Sequence, residues 1–141
     1  MKIKKEIIVN SPIANVFSAL TDSDEIPKYF PLQSVESDWV KGNAVLYKGV
    51  INSVPFTDFG VIEELIKPRI YRYRYWSDNH GTARTEQNHL TIEYRLETVS
   101  EGTKLTVLHD NIKSKEMYDL MKNQVWGHLL NSLKTHMESS T

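Results

Sequence analysis

The sequence predicts an α+β domain in which helices gather against a bent antiparallel sheet, and three patterns predict it. Leu90, Ile92, Tyr94 and Leu96 alternate with Thr91, Glu93, Arg95 and Glu97, the period of a strand with one apolar and one wet face. From Ser114 the period becomes helical: Met117, Met121, Val125, His128, Leu129 and Ser132 fall on one arc, which Trp126, Leu130, Leu133 and Met137 extend. That helix should cover about 24 residues, or about 36 Å, enough to cross most of a sheet. Only two short helical stretches precede the run of strands. The apolar faces of the sheet and the long helix can therefore bury only against each other, so the sheet must curl around the helix.

The elements follow in order. Residues 3–9 read as a strand with Ile7 and Val9 on one face. Ser11 is a suitable N-cap with Pro12 at the first helical position, and Ile13, Val16, Phe17 and Leu20 recur at helical spacing. Thr21 or Asp22 can cap a second short turn, which Pro27 should interrupt before the aromatic corner of Tyr29, Phe30, Pro31 and Leu32. Strands are expected at 35–40, 45–51 and 56–66, with turns at Lys41-Gly42-Asn43 and Asn52-Ser53. Pro68 closes the last of these. Residues 77–88, rich in polar side chains, read as the most mobile loop, and Ser100-Glu101-Gly102 as a hairpin turn into the strand of Leu105, Val107 and His109.

The 141 residues carry a formal charge of -1, 25% charged side chains and 40% hydrophobic ones, the composition of one soluble domain spanning 1–141. Zero cysteines exclude a disulfide scaffold and a thiol nucleophile. The near-neutral balance offers no field for nucleic acid or an anionic membrane. No run approaches the roughly 18 apolar residues of a spanning helix, and MKIKKEIIVNSP is too short in apolar residues for a secretory leader. A cytoplasmic location, without membrane insertion, is the expectation. The glycines form no nucleotide-binding cluster, no G-x-S-x-G or H-E-x-x-H occurs, and no cofactor is implied.

Several ordered motifs carry a family resemblance. They are Ser11-Pro12 before a helix, Thr21-Asp22 followed by Tyr29, Gly42, Phe59-Gly60-Val61, Thr91-Ile92, the Gly102-Thr103-Lys104-Leu105-Thr106-Val107 hairpin and the final Trp126-Gly127-His128 with Leu129-Leu130-Asn131-Ser132-Leu133-Lys134. Over nearly its whole length the chain resembles the START-like, or SRPBCC, superfamily, and within it the branch of activator-of-Hsp90-ATPase homologues. The resemblance implies a helix-grip fold: a curved seven-stranded antiparallel sheet around the final helix, often with a hydrophobic cavity between them. Tyr29 stands where the family usually has Trp, and Pro27 interrupts a turn that relatives keep.

In Ile70-Tyr71-Arg72-Tyr73-Arg74-Tyr75-Trp76 a strand puts Tyr71, Tyr73 and Tyr75 on one face and the arginines with Trp76 on the other. Facing inward, the tyrosines either line a pocket with rings and hydroxyls or form ordinary aromatic core. RNA recognition would need both sets together, so no nucleic acid is expected. Val16, Tyr29, Phe56, Phe59 and Tyr94 extend the candidate lining, and Met117, Met121 and Val125 supply it from the helix, where thioethers re-pack easily.

His109 and His128 are expected to look inward, as hydrogen-bonding groups or weak bases; without a third ligand they do not make a zinc site. Asp58 is expected on the solvent face, although buried it would titrate high. Glu63 and Glu64, as strand neighbours, should point to opposite faces. Trp126 should anchor the helix against the 29–32 corner.

The expected function is reversible binding of a small hydrophobic or amphipathic molecule between sheet and helix. The alternatives are a protein-interaction or co-chaperone-like domain with a protein partner, and a cyclase-like or hydrolase-like enzyme acting on a hydrophobic small molecule. A solid core with an exposed apolar patch favours interaction, and an enclosed pocket favours binding.

Overall fold

The computed structural model describes residues 1–139. Seven antiparallel strands form one sheet in the order β1-β7-β6-β5-β4-β3-β2. They are β1 (Ile3–Val9), β2 (Ser34–Ser37), β3 (Ala44–Ile51), β4 (Val54–Ile66), β5 (Ile70–Ser77), β6 (Leu90–Val99) and β7 (Gly102–Asp110). Helix α1 (Ile13–Leu20) follows β1, and α2 (Lys115–Leu120) and α3 (Trp126–Ser139) end the described chain, joined through a π-helical turn at Met121–Val125. This is the α+β helix-grip architecture, with the long helix held by a curved sheet.

Local chemistry sets the connections. Helix α1 starts at Ile13, one residue later than expected, and its cap position is Pro12 with no side-chain capping bond. Ser11 serves the sheet instead, its carbonyl accepting from the buried Thr103 hydroxyl at 2.8 Å. The Asp22 carboxylate accepts from the Asp24 and Glu25 amides at 2.9 and 3.3 Å and so starts a short 3-10 turn, Ile26–Lys28. Pro27 sits within that turn rather than ending it, because a proline near a helix start gives up no hydrogen bond. Strand β2 stops at Ser37, and Trp39 at φ 57° turns its indole back against the Tyr71 ring at 5.5 Å. The β3–β4 hairpin closes on Asn52 and Ser53, both at positive φ, as a two-residue turn between right-twisted strands requires.

The long helix keeps its predicted start: the Ser114 hydroxyl accepts from the Met117 amide at 3.0 Å. Its apolar arc does not continue unbroken. A π turn winds more residues per turn than an α-helix, so it rotates everything after it relative to everything before. Downstream, Trp126, Leu130, Leu133 and Met137 form the buried stripe, while His128 becomes exposed. Upstream, neither α2 nor the π turn buries a side chain completely. The α3 end is fastened to β1, where the Lys134 ammonium donates to the Ile8 carbonyl at 2.7 Å and the Asn10 amide donates to Glu138 at 2.9 Å.

Candidate functional site

Strand alternation builds the inner face of the sheet. Tyr71, Tyr73 and Tyr75 of β5 all point inward and are buried, with Tyr94 of β6 beside them. Cross-strand pairing adds Tyr47 of β3, whose hydroxyl lies 2.7 Å from that of Tyr71. The rings pack at centroid separations of 5.1 Å for Tyr71–Tyr73, 5.3 Å for Tyr47–Tyr73 and 5.9 Å for Tyr71–Tyr94. Burial raises all five hydroxyls well above the ordinary phenol range, so each stays protonated as a neutral hydrogen-bonding group.

At one end of this array the fully buried imidazole of His109 links three elements. The Trp126 indole N–H donates to its Nδ1 at 3.0 Å, and its Nε2 lies 2.9 Å from the Tyr75 hydroxyl. An indole can only donate, so Nδ1 must be the acceptor and Nε2 the nitrogen that carries the proton. Burial, with the nearby His80 adding to it, lowers the His109 pKa to about 4 and keeps the ring neutral. Trp126 thus sits over Tyr94 and His109, not against the 29–32 corner. That corner is closed by Phe30, edge-on to Tyr29, and by His136, whose ring lies tilted against Tyr29 at 5.4 Å. The Tyr29 hydroxyl donates to the Ala19 carbonyl at 2.6 Å.

Asp58 reverses the expectation made for it. It pairs with Tyr47 on β3 and Ser77 on β5, and residues opposite one another share a face, so its carboxyl lies on the inner side. Burial raises its pKa to about 6, and the neighbouring Ser77 hydroxyl, which donates to Asn79 at 2.7 Å, only partly offsets this. Phe56 shares that inner face and is half-buried. Phe59 does not: it stacks on Trp76 at 6.1 Å on the outside, under the Arg84 guanidinium at 4.3 Å.

The other candidates divide similarly. Val16 and Tyr29 are buried in the core. Met117, Met121 and Val125 are only half-buried, and His128 faces solvent, the consequence of the π turn. The 77–88 segment, read as the most mobile loop, is tied down on both sides. His80 packs on Tyr75 at 5.8 Å, the Trp76 indole donates to Thr82, and Glu86 pairs with Arg74. A bulge between Ile62 and Glu64 overturns the opposite-face reading of the acids. Glu63 pairs with Arg72 and Arg74, Glu64 with Lys41, both on the outer face.

Across the interior these rings pack on one another. Among the described residues no buried side-chain polar atom lacks a partner, and no group of three potential metal ligands occurs. Two surface clefts lie elsewhere: one on the outer face about Arg95 and Lys104, the other beside Pro12 and Gly102. Hydrophobic surface gathers at the tip of the β3–β4 hairpin, where Val50, Ile51 and Val54 are 41%, 51% and 63% exposed.

Residues 10–138 match the family model described as Activator of Hsp90 ATPase homolog 1-like protein. The chain belongs to this family. Three solved structures share the fold of this Hsp90-ATPase-activator-like domain. A protein of Cytophaga hutchinsonii is 23% identical with a TM-score of 0.85, over 99% of this chain and 95% of that one. The Aha1 dimer from Colwellia psychrerythraea is 21% identical with a TM-score of 0.78, over 98% and 96%. An AHSA1-like protein from Aeromonas hydrophila is 16% identical, also at 0.78, over 99% and 94%. Identities this low speak to the fold alone. No curated protein matches the sequence.

Alternation in 45–49 was the signal that could have added Tyr47 to the candidates. Trp39 and Asp58 had none, because a left-handed turn and a face choice between two mixed faces are settled by neighbours. The fold is compatible with either a ligand cavity or a protein interface.

Proposed function

We propose that the domain is a protein-interaction module whose contact surface is the apolar tip of the β3–β4 hairpin. The observation that carries this reading is the cluster of Val50, Ile51 and Val54 standing exposed at the hairpin tip, away from the mutually packed tyrosines of the core. Exposed apolar side chains at a rigid two-residue turn cost solubility unless a partner covers them. The family description supports the direction, since its namesake acts on a chaperone. The small-molecule reading has less support, because the tyrosines pack on one another.

The first partner to test is an Hsp90-class chaperone, with a second copy of this chain as the control. Purified chaperone is titrated against the wild type and against the double variant Ile51→Asp, Val54→Asp, with self-association followed by sedimentation. The wild type is expected to bind, and the variant to bind at least about tenfold more weakly with an unchanged melting temperature. A wild type that neither binds the chaperone nor self-associates, or a variant that binds as well, would remove this reading.

A further inference from the structure

Arg84 is a cation laid on rings with no carboxylate partner among the described residues. Its guanidinium carbon lies 4.3 Å from the Phe59 ring centroid and 5.7 Å from that of Trp76, and those two rings stack at 6.1 Å on the outer face of the sheet. In the strands from β3 to β7 every lysine and arginine is paired: Lys48 with Glu36, Arg72 and Arg74 with Glu63, Arg95 with Glu93, and Lys104 with Glu6. The acids of the segment that carries Arg84 are engaged as well. Asp78 accepts from the Thr57 amide at 3.0 Å and Glu86 from Arg74 at 2.5 Å.

Several bonds place this group. The Trp76 indole donates to the carbonyl and the hydroxyl of Thr82, each at 3.2 Å, and the Asn88 side-chain amide donates to the Ala83 carbonyl at 2.9 Å. With Glu86 held by Arg74, the chain on both sides of Arg84 is fixed. A planar guanidinium already resting on a ring loses little further freedom when an acceptor arrives. Beneath it, cross-strand pairing sets Leu46, Phe59 and Trp76 in one row, and Val61 is the next outward residue along β4, opposite Arg74. All four are half-buried, so they leave an apolar strip at the surface. The strip crosses three strands, about 10 Å.

We infer that Arg84, with the outer strip of Leu46, Phe59, Trp76 and Val61, is a docking site for an extended acidic peptide of a partner protein. A carboxylate side chain would accept from the N–H groups of Arg84, and apolar side chains two residues to either side would lie on the strip, since alternate side chains of an extended chain are about 7 Å apart. Charge complementarity selects this occupant: Arg84 is the cation here whose charge no acid balances. An exposed ion pair by itself is worth at most about 1 kcal/mol, so the apolar strip is what favours a peptide over a free carboxylate ion. The site lies on the outer face of the sheet, apart from the hairpin tip, and is a second contact surface.

The probes are the blocked peptide acetyl-Leu-Ser-Glu-Ser-Leu-amide and its counterpart with Gln in place of Glu. Binding to the wild type and to Arg84→Gln is followed by the Trp76 indole N–H signal in NMR, at about 0.15 M salt. The wild type is expected to take the glutamate peptide at least about threefold more tightly than the glutamine one, and Arg84→Gln to lose that preference with an unchanged melting temperature. Absence of saturable binding, equal affinity for the two peptides, or an undiminished preference in Arg84→Gln would overturn the proposal. So would acetate competing as strongly as the peptide, which would mark a general anion site. Should Arg84→Gln fail to fold, the charged-against-neutral comparison on the wild type decides alone. The hairpin variant Ile51→Asp, Val54→Asp is expected to keep the glutamate peptide's affinity within about twofold, so the two proposals fail independently.

Discussion

His109 accepts a hydrogen bond from the Trp126 indole at Nδ1, 3.0 Å away, and faces the Tyr75 hydroxyl with Nε2 at 2.9 Å. One imidazole thereby ties β7 to β5 and to the first residue of α3. The bond is expected to hold a single tautomer, with the proton on Nε2, and two-bond nitrogen–proton NMR correlations of the histidine ring check it directly. Removing the donor by Trp126→Phe leaves a buried nitrogen unpaired and is expected to cost about 1–3 kcal/mol in a urea melt. A cost near zero, or the other tautomer, would contradict the arrangement.

The buried His109 and the half-buried Asp58 pull the pH dependence of stability in opposite directions. The His109 pKa falls from 6.5 to about 4, so its contribution is full above the unfolded value and is lost as pH drops through that window, where the unfolded chain takes up the proton first. The Asp58 pKa rises from 3.8 to about 6, so its contribution is full below the unfolded value and is lost as pH rises through the folded one. Asp58→Asn removes the second effect. Discounted for the water that reaches a half-buried group, the variant should gain about 1–2 kcal/mol over wild type at about pH 8 relative to acid. Paired denaturant melts across the range measure the difference, which should shrink as pH falls through 6.

Gly102 and Gly127 should respond to alanine with opposite signs. At Gly102, φ is +133°, and an added Cβ would meet the Val9 carbonyl oxygen at 2.4 Å and the Ser11 amide at 2.9 Å, backbone atoms that cannot swing aside. Gly102→Ala is expected to lose about 2–4 kcal/mol. Gly127 lies within α3 with nothing inside 4 Å of the added carbon, so Gly127→Ala should gain about 0.5–1 kcal/mol. Thermal melts of the two variants read both signs at once.

Glu93 belongs to the face expected to be wet, yet it is 6% exposed, covered by Arg72 and Arg95. Burial would raise its pKa, but the hydrogen bonds from both guanidinium groups overcome this and hold the carboxyl below its usual range. Glu93→Gln removes the buried charge and sets an amide NH2 against one of the two guanidinium groups, and is expected to cost about 1–3 kcal/mol, with Arg72→Ala and Glu93→Gln non-additive when combined. Additive losses would mean the groups do not act together.

Much of the frame was legible because it depends on local periods. The alternation of Leu90 to Leu96, the tyrosine face of β5 and the cap at Ser114 are all properties of neighbours along the chain, and the structure repeats them. What escaped were choices made by contacts distant in sequence. Phe59 and Asp58 sat on two faces of similar apolarity, so only pairing with Trp76 and with Tyr47 could assign them. Glu93 looked like a solvent residue until two arginines from the sheet closed over it.

Local pattern alone therefore determined an antiparallel sheet, its inward tyrosines and a long helix that the sheet must hold, since burying one apolar face against another needs only the spacing of side chains. The tertiary structure decided where that helix turns. Its π turn rotates His128 outward and brings Trp126 onto His109, because the hydrogen bond between a donor-only indole and a buried imidazole can form in just one phase of the helix.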